Sequence, residues 1–157
     1  MKKVLKLVLI VLVIAFAAAQ FIRPNRVNPL IVDGETLETA TVVPDDVNAI
    51  LTQSCNDCHS HKTAYPWYSN ITPVSFFLAG HIEEGRRHLN FSVWNTYDKR
   101  KKLKKLDEVR EQIDLAAMPL PSYLWLHRDA VLSESDAKIL KDWTLRVTAE
   151  LEASGKP

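Results

Sequence analysis

The feature that most constrains the fold of this chain is the pentapeptide Cys55-Asn56-Asp57-Cys58-His59, a C-x-x-C-H motif. On a helical turn, side chains three and four positions apart lie on one face, about 5–6 Å from each other. The motif therefore presents two thiols and one imidazole in the same direction. This arrangement is typical of c-type haem attachment, in which two thioethers hold the haem and the imidazole binds its iron. It predicts covalent haem c on Cys55 and Cys58, with His59 as the proximal ligand.

Three other uses of the motif compete with haem attachment. A thioredoxin-like redox pair needs alternating strands and helices around it, and the surrounding sequence indicates none. A structural disulfide between Cys55 and Cys58 leaves His59 without a role. A zinc site needs a second pair of Cys or His ligands at a suitable spacing, and the sequence holds no other cysteine.

The N-terminus has the pattern of an export signal. A short stretch with three lysines precedes an apolar run over residues 7–19, which continues to Ile22. Cleavage after Ala19 fits a signal peptide, whereas the uncleaved run, counted from Val4, reaches the ~17–25 residues of a membrane anchor. We expect a signal peptide or signal anchor over residues 1–22. The remainder is then exported to the periplasmic side of the inner membrane, either anchored there or released.

The charge of the chain argues against strong nucleic-acid binding. Its 20 basic and 19 acidic side chains give a formal net charge of +1. Three of the basic ones fall within the export signal, so the exported part carries no basic excess of the kind that nucleic-acid binding requires. The partners we expect are the membrane, through the N-terminal segment, and redox proteins that the sequence does not identify.

The rest of the sequence predicts helices joined by loops. Residues 23–43 are rich in Pro and Asn at their start and have little periodicity, which is typical of a linker. Beyond residue 43, apolar side chains recur at helical spacing and no segment predicts a strand. Helices are expected at about residues 44–55, 72–89, 98–117 and 133–151. We therefore predict an all-α haem-binding domain over residues 44–152 and a frayed tail over 153–157.

Met118 is the leading candidate for the second axial ligand of the iron. It is the only methionine besides Met1, and it lies between a predicted helix end and two prolines that stiffen the backbone. A thioether opposite histidine raises the potential of haem. A methionine that fills a gap in the core is the alternative. His81 and His88, on one predicted helix, are the other candidate distal ligands.

Four stretches of the sequence are similar to those of a known family: residues 55–60, 65–71, 81–92 and 118–123. Together they resemble the bacterial haem-binding domain family of small, membrane-anchored, cytochrome c-like proteins. Residues 133–143 also resemble the C-terminal helix of class I cytochromes c. The resemblance implies a cytochrome c-like helical fold around covalent haem on Cys55 and Cys58, with His59 as proximal and Met118 as distal ligand.

These features predict a membrane-tethered, periplasmic monohaem cytochrome domain that transfers single electrons. With His59 and Met118 on the two axial positions, the iron has no open position for a substrate, so we expect an electron carrier or haem-binding module rather than an enzyme. Two alternatives have an open sixth position on the iron. One is a peroxidase-like enzyme with His81 or His88 as its acid–base residue, and the other is a haem-based sensor.

Overall fold

The computed structural model describes residues 1–155, and this part of the chain is helical. Its α-helices are α1 Lys2–Ala19, α2 Leu37–Ala40, α3 Asp45–Ser54, α4 Asn56–His59, α5 Val74–His88, α6 Lys99–Asp114, α7 Pro121–Leu124 and α8 Glu134–Ala153. Short 3₁₀ turns lie at Trp67–Asn70, Phe91–Thr96 and Arg128–Ala130. No strand occurs within residues 1–155, which confirms the predicted all-α class. The predicted tail lies partly outside the described residues, which end at 155.

The core lies between α3, α6 and α8. The helices α6 and α8 pack on each other, and α3 packs on α8. The three helices contribute apolar side chains at helical spacing. The buried ones are Val47, Ile50, Leu51, Leu106, Leu140, Trp143 and Val147, and α6 adds the partly buried Val109 and Ile113. Burying one such side chain contributes about 1.5–3 kcal/mol. This shared apolar face holds the three helices in place and leaves α4 and α5 to form the next layer.

Local signals set the starts of the two long helices in the core. At α8, the Ser133 hydroxyl accepts a hydrogen bond from the Asp136 amide at 3.1 Å, and the Asp136 carboxylate accepts one from the Ser133 amide at 3.0 Å. At α6, the Asp98 carboxylate accepts from the amide of Lys101 at 2.7 Å. These side chains satisfy amides that have no partner within the helix.

The C-x-x-C-H motif starts at a break between two helices. The helix α3 ends at Ser54, and Cys55 adopts φ −128° and ψ −41° before α4 begins at Asn56. The amide of His59 then donates to the carbonyl of Cys55 at 2.9 Å, which closes one helical turn. The motif therefore forms a short separate helix, and α5 packs on it.

Part of the segment predicted as a linker, residues 23–43, packs on the helical domain. Leu37 in α2 is only 2% exposed and belongs to the core. The indole of Trp143 donates to the carbonyl of Val42 at 3.1 Å. A single buried leucine without periodic apolar neighbours leaves no helical pattern in a sequence, and so the packing of this segment was not expected.

The helix α1 carries the apolar run of the N-terminus. Its side chains from Lys2 to Ala18 are exposed, and the helix has no buried residue. Just beyond its end, the side chain of Gln20 exchanges two hydrogen bonds of 3.0 Å with the backbone of Thr72. In the described part of the chain, no helix combines the length and the apolar character that crossing a membrane requires.

Candidate functional site

A cavity of about 670 Å³ lies beside the C-x-x-C-H motif. This volume falls within the about 300–1,000 Å³ that is typical of cofactor sites. Most of its walls are formed by side chains from α3, α4, α5, α6 and α8, from the 3₁₀ turn at Phe91–Thr96 and from the segment that leads into α7. Every site residue expected from the sequence lines it: Cys55, Cys58, His59, His81, His88 and Met118. The fold therefore brings together residues that are far apart in the chain.

The ring of His59 is held so that one nitrogen remains free. Its Nδ1 lies 3.0 Å from the carbonyl oxygen of Gly85 and 3.0 Å from that of Leu89. Because a carbonyl oxygen only accepts, Nδ1 carries the hydrogen and Nε2 keeps its lone pair. Burial lowers the pKa of His59, so the imidazole is neutral at neutral pH. A neutral imidazole with its Nδ1–H on a backbone carbonyl is the usual state of a metal ligand.

Gly85 allows α5 to approach the motif closely enough for this contact. A Cβ atom at this position would lie 2.7 Å from the carbonyl oxygen of Cys58 and 3.1 Å from its Cβ. Both distances are shorter than ordinary van der Waals contact. A glycine at position 85 is therefore needed for its own carbonyl to reach His59. No sequence pattern indicated this role.

The two cysteines are free thiols in the wall of the cavity. Burial, and to a smaller extent the charge of Cys58, raises the pKa of Cys55 to about 12. Burial and the charge of Asp57 raise the pKa of Cys58 to about 11, against a smaller opposing effect of Arg86. A cysteine used for thiol–disulfide exchange has a lowered pKa instead. The surroundings of both thiols therefore do not favour a redox pair.

Tyr123 connects the segment after Met118 to the motif. Its hydroxyl donates to Oδ2 of Asp57 at 2.8 Å, while Oδ1 of Asp57 accepts from the amide of Ala64, also at 2.8 Å. Burial and the hydrogen bond to Asp57 raise the pKa of Tyr123, which keeps the hydroxyl protonated as a donor. The ring of His127 stacks on that of Tyr123, with centroids 4.0 Å apart. Contacts over such sequence distances leave no local pattern, and sequence reasoning missed them.

Arg86 fixes the chain that leaves the motif. Its Nε donates to the carbonyl of Ser60 at 2.8 Å, and its Nη2 donates to Thr63 Oγ1 at 2.9 Å. The same Nη2 donates to Oδ1 of Asn28 at 2.8 Å. One guanidinium on α5 thereby holds both the loop after α4 and the N-terminal segment, which sequence reasoning also missed.

The two candidate distal histidines have partners on their own helix. The Nε2 of His88 lies 2.7 Å from the carboxylate of Glu84. The ring of His81 packs on Phe77, with ring centroids 4.2 Å apart, and its Nδ1 lies 2.8 Å from the Phe77 carbonyl. Met118, in contrast, reaches the cavity from the separate segment between α6 and α7. The contact of Nδ1 leaves the Nε2 of His81 free, as in His59, whereas the Nε2 of His88 is paired with Glu84.

The donors that line the cavity suit haem better than a bare metal ion. Within residues 1–155, no group of three or more His, Cys, Asp or Glu side chains is arranged to hold a metal ion. A zinc site draws three or four ligands from the protein, whereas haem iron needs only one or two axial ones. The free Nε2 of His59, two adjacent thiols and apolar walls fit that smaller requirement.

Comparison with known protein families agrees with this assignment. Residues 14–146 match the model of a family described as the haem-binding domain. The match covers the motif, all the residues that line the cavity, and the packed helices up to residue 146 in α8. Comparison with curated proteins gave no match, and comparison with solved structures gave none either.

Proposed function

The chain belongs to the haem-binding domain family, and from this premise we propose that it is a c-type cytochrome domain with one haem that transfers single electrons. Family membership makes it a haem-binding protein. The observation that supports the c-type assignment is that both thiols of the motif and His59 line one cavity. The packing of α8 on α3 supports a cytochrome c-like arrangement of the helices.

In this proposal each residue of the site has a defined task. Cys55 and Cys58 would hold the haem through two thioethers, and His59, through Nε2, and Met118 would bind its iron. When bound, haem supplies an iron that accepts and releases one electron. The carbonyls of Gly85 and Leu89 fix the orientation and tautomer of the His59 ring. The mostly apolar walls would place the haem in surroundings of low polarity, which is one way in which a protein sets the reduction potential.

We further propose that the protein is exported and that α1 associates it with the periplasmic side of the inner membrane. The support is the exposure of the apolar side chains of α1. A contiguous apolar surface of this kind marks a site of interaction with a membrane or another protein. The redox partners would then be other proteins of the same compartment.

The absorption spectrum of the full chain, produced with c-type maturation machinery, tests the proposed ligands. We expect low-spin bands of the His/Met type in both oxidation states, and no rapid binding of carbon monoxide. The variant Met118→Ala should bind carbon monoxide and have a lower reduction potential, because it lacks the thioether ligand. The control His81→Ala should keep the parent spectrum. High-spin haem in the parent protein would contradict electron transfer and favour the peroxidase or sensor alternative.

A further inference from the structure

The segment that follows α1 is hydrogen-bonded to the domain over most of its length. We call residues 20–30 the strap. It runs along the loop after α4, so that its start lies at Thr72 and its end near His61. Besides the Gln20 pair, the carbonyl of Ile22 accepts a hydrogen bond from the Thr72 hydroxyl at 3.0 Å, and Arg26 donates to Ser69 at 3.3 Å and to Asn70. Further along, Asn28 donates to the Thr63 carbonyl at 2.9 Å and accepts from Arg86 at 2.8 Å. At the end of the strap, the carbonyl oxygen of Leu30 lies 3.2 Å from Nδ1 of His61. The strap is therefore not a free spacer, and α1 leaves the domain at a fixed point.

Exposed apolar side chains lie on either side of Thr72 in the chain, in the 3₁₀ turn before it and in α5 after it. They are Trp67, Val74, Phe76 and Phe77, which are 74%, 40%, 46% and 58% exposed, and we call them the aromatic face. Three of these residues lie in the first turn of α5, directly after the Thr72 that binds Gln20. Trp67 begins the 3₁₀ turn whose last residue, Asn70, is bound by Arg26.

We propose that the aromatic face lies in the lipid–water interface of the membrane with which α1 associates, so that the domain is docked on the bilayer. The inference rests on the membrane association proposed above for α1. The strap holds the end of α1 beside the aromatic face, so whatever surrounds that end also covers the face. Tryptophan is enriched at the level of lipid head groups. The positive charges of Arg23 and Arg26, on the strap, suit anionic head groups at the same level.

Photolabelling from within the bilayer tests the docked orientation. The full chain is reconstituted into vesicles of phosphatidylcholine and phosphatidylglycerol that include phosphatidylcholine with a diazirine on its acyl chain. After irradiation and trypsin digestion, adducts are sought on three peptides, residues 7–26 from α1 and the start of the strap, 63–86 with the aromatic face and 142–146 from α8. The last contains Leu145, which is 53% exposed on a helix that packs on α3 and α6.

We expect adducts on peptides 7–26 and 63–86 and none on 142–146. Adducts on 7–26 alone would overturn the docked orientation and leave the association of α1 intact. If peptide 7–26 also stays unlabelled, the membrane association itself is wrong, and the inference fails with it. Labelling of 142–146 as strongly as 63–86 would likewise overturn a fixed orientation.

Two variants separate the contribution of the aromatic face from that of the strap. The double variant Trp67→Ser, Phe77→Ser should lose most adducts on peptide 63–86 and keep those on 7–26. Both side chains are exposed, so the circular dichroism spectrum should stay that of the parent. The variant Asn28→Ala weakens the strap at its contacts with Thr63 and Arg86, and it should also reduce labelling of 63–86. Unchanged labelling in the double variant would refute the proposal.

Discussion

A methyl group at position 85 should weaken the contact between α5 and the C-x-x-C-H motif, while the same change at position 80 should not. Both glycines lie in α5. A Cβ at Gly85 would come within 2.7 Å of the Cys58 carbonyl oxygen, whereas a Cβ at Gly80 meets nothing within 4 Å. The obstructing atoms belong to the backbone and to a Cβ, so no flexible side chain can move aside. In Gly85→Ala, α5 and α4 must therefore separate.

The size of the effect follows from three contributions to the free energy of unfolding. Forcing a methyl group into a packed contact costs about 1–3 kcal/mol. Loss of the hydrogen bond from His59 to the Gly85 carbonyl costs a further about 0.5–1.5 kcal/mol. Replacing glycine by alanine within a helix contributes about 0.5–1 kcal/mol of stability, and this gain is common to both variants. Gly85→Ala should therefore be less stable than Gly80→Ala by about 1.5–4.5 kcal/mol.

Urea unfolding monitored by circular dichroism measures this difference. The control Gly80→Ala should be at least as stable as the parent chain, and Gly85→Ala clearly less stable. The haem content of the two variants after maturation provides a second measurement, because a displaced α5 no longer holds the His59 ring. Equal unfolding free energies for the two variants would refute the close approach of α5 to the motif.

Three further substitutions test other contacts by the same unfolding assay. In Tyr123→Phe the loss of the hydrogen bond to Asp57 should cost about 1.5–3 kcal/mol, whereas Tyr65→Phe, whose hydroxyl has no partner within residues 1–155, should change little. Asp136→Asn should cost about 0.3–1 kcal/mol at pH 7. Hydrogen bonds from the hydroxyl and amide of Ser133 hold the pKa of Asp136 below its usual range. The contribution of the Asp136 carboxylate is therefore lost as the pH falls below about 4, and the two proteins should converge there. A difference that persists at low pH would contradict this. Arg86→Lys should lower the free energy of unfolding by about 1–3 kcal/mol, because an ammonium group cannot make the several hydrogen bonds of the guanidinium group. The control is Arg87→Lys, at an exposed position.

The helices of the core could be predicted because their signals are local. Apolar residues at helical spacing mark α3, α6 and α8, and the caps at Asp98 and Ser133 fix where two of them begin. The C-terminal end of α6 was predicted less well. The helix α6 stops at Asp114, and Ala116 adopts φ +50°, before the prolines that were expected to end it.

The sequence predicted only those site residues whose type and spacing by themselves indicate a chemical role. The motif and Met118 were named from residue type and spacing, and the cavity brings them together. Gly85 and Tyr123 were missed because their importance depends on α4, which lies far away in the sequence. The packing of residues 23–43 was missed for a similar reason, since it depends on Leu37 and on contacts with distant residues.

The mass of the intact chain under denaturing conditions tests the central claim most directly. After production with c-type maturation machinery, we expect the chain to retain the mass of one haem when unfolded and to lose it in the double variant Cys55→Ser, Cys58→Ser. A single variant at either cysteine should retain at most one thioether. If the unfolded parent chain has the mass of the polypeptide alone while the folded protein carries haem, the haem is bound without thioethers and the c-type assignment is wrong.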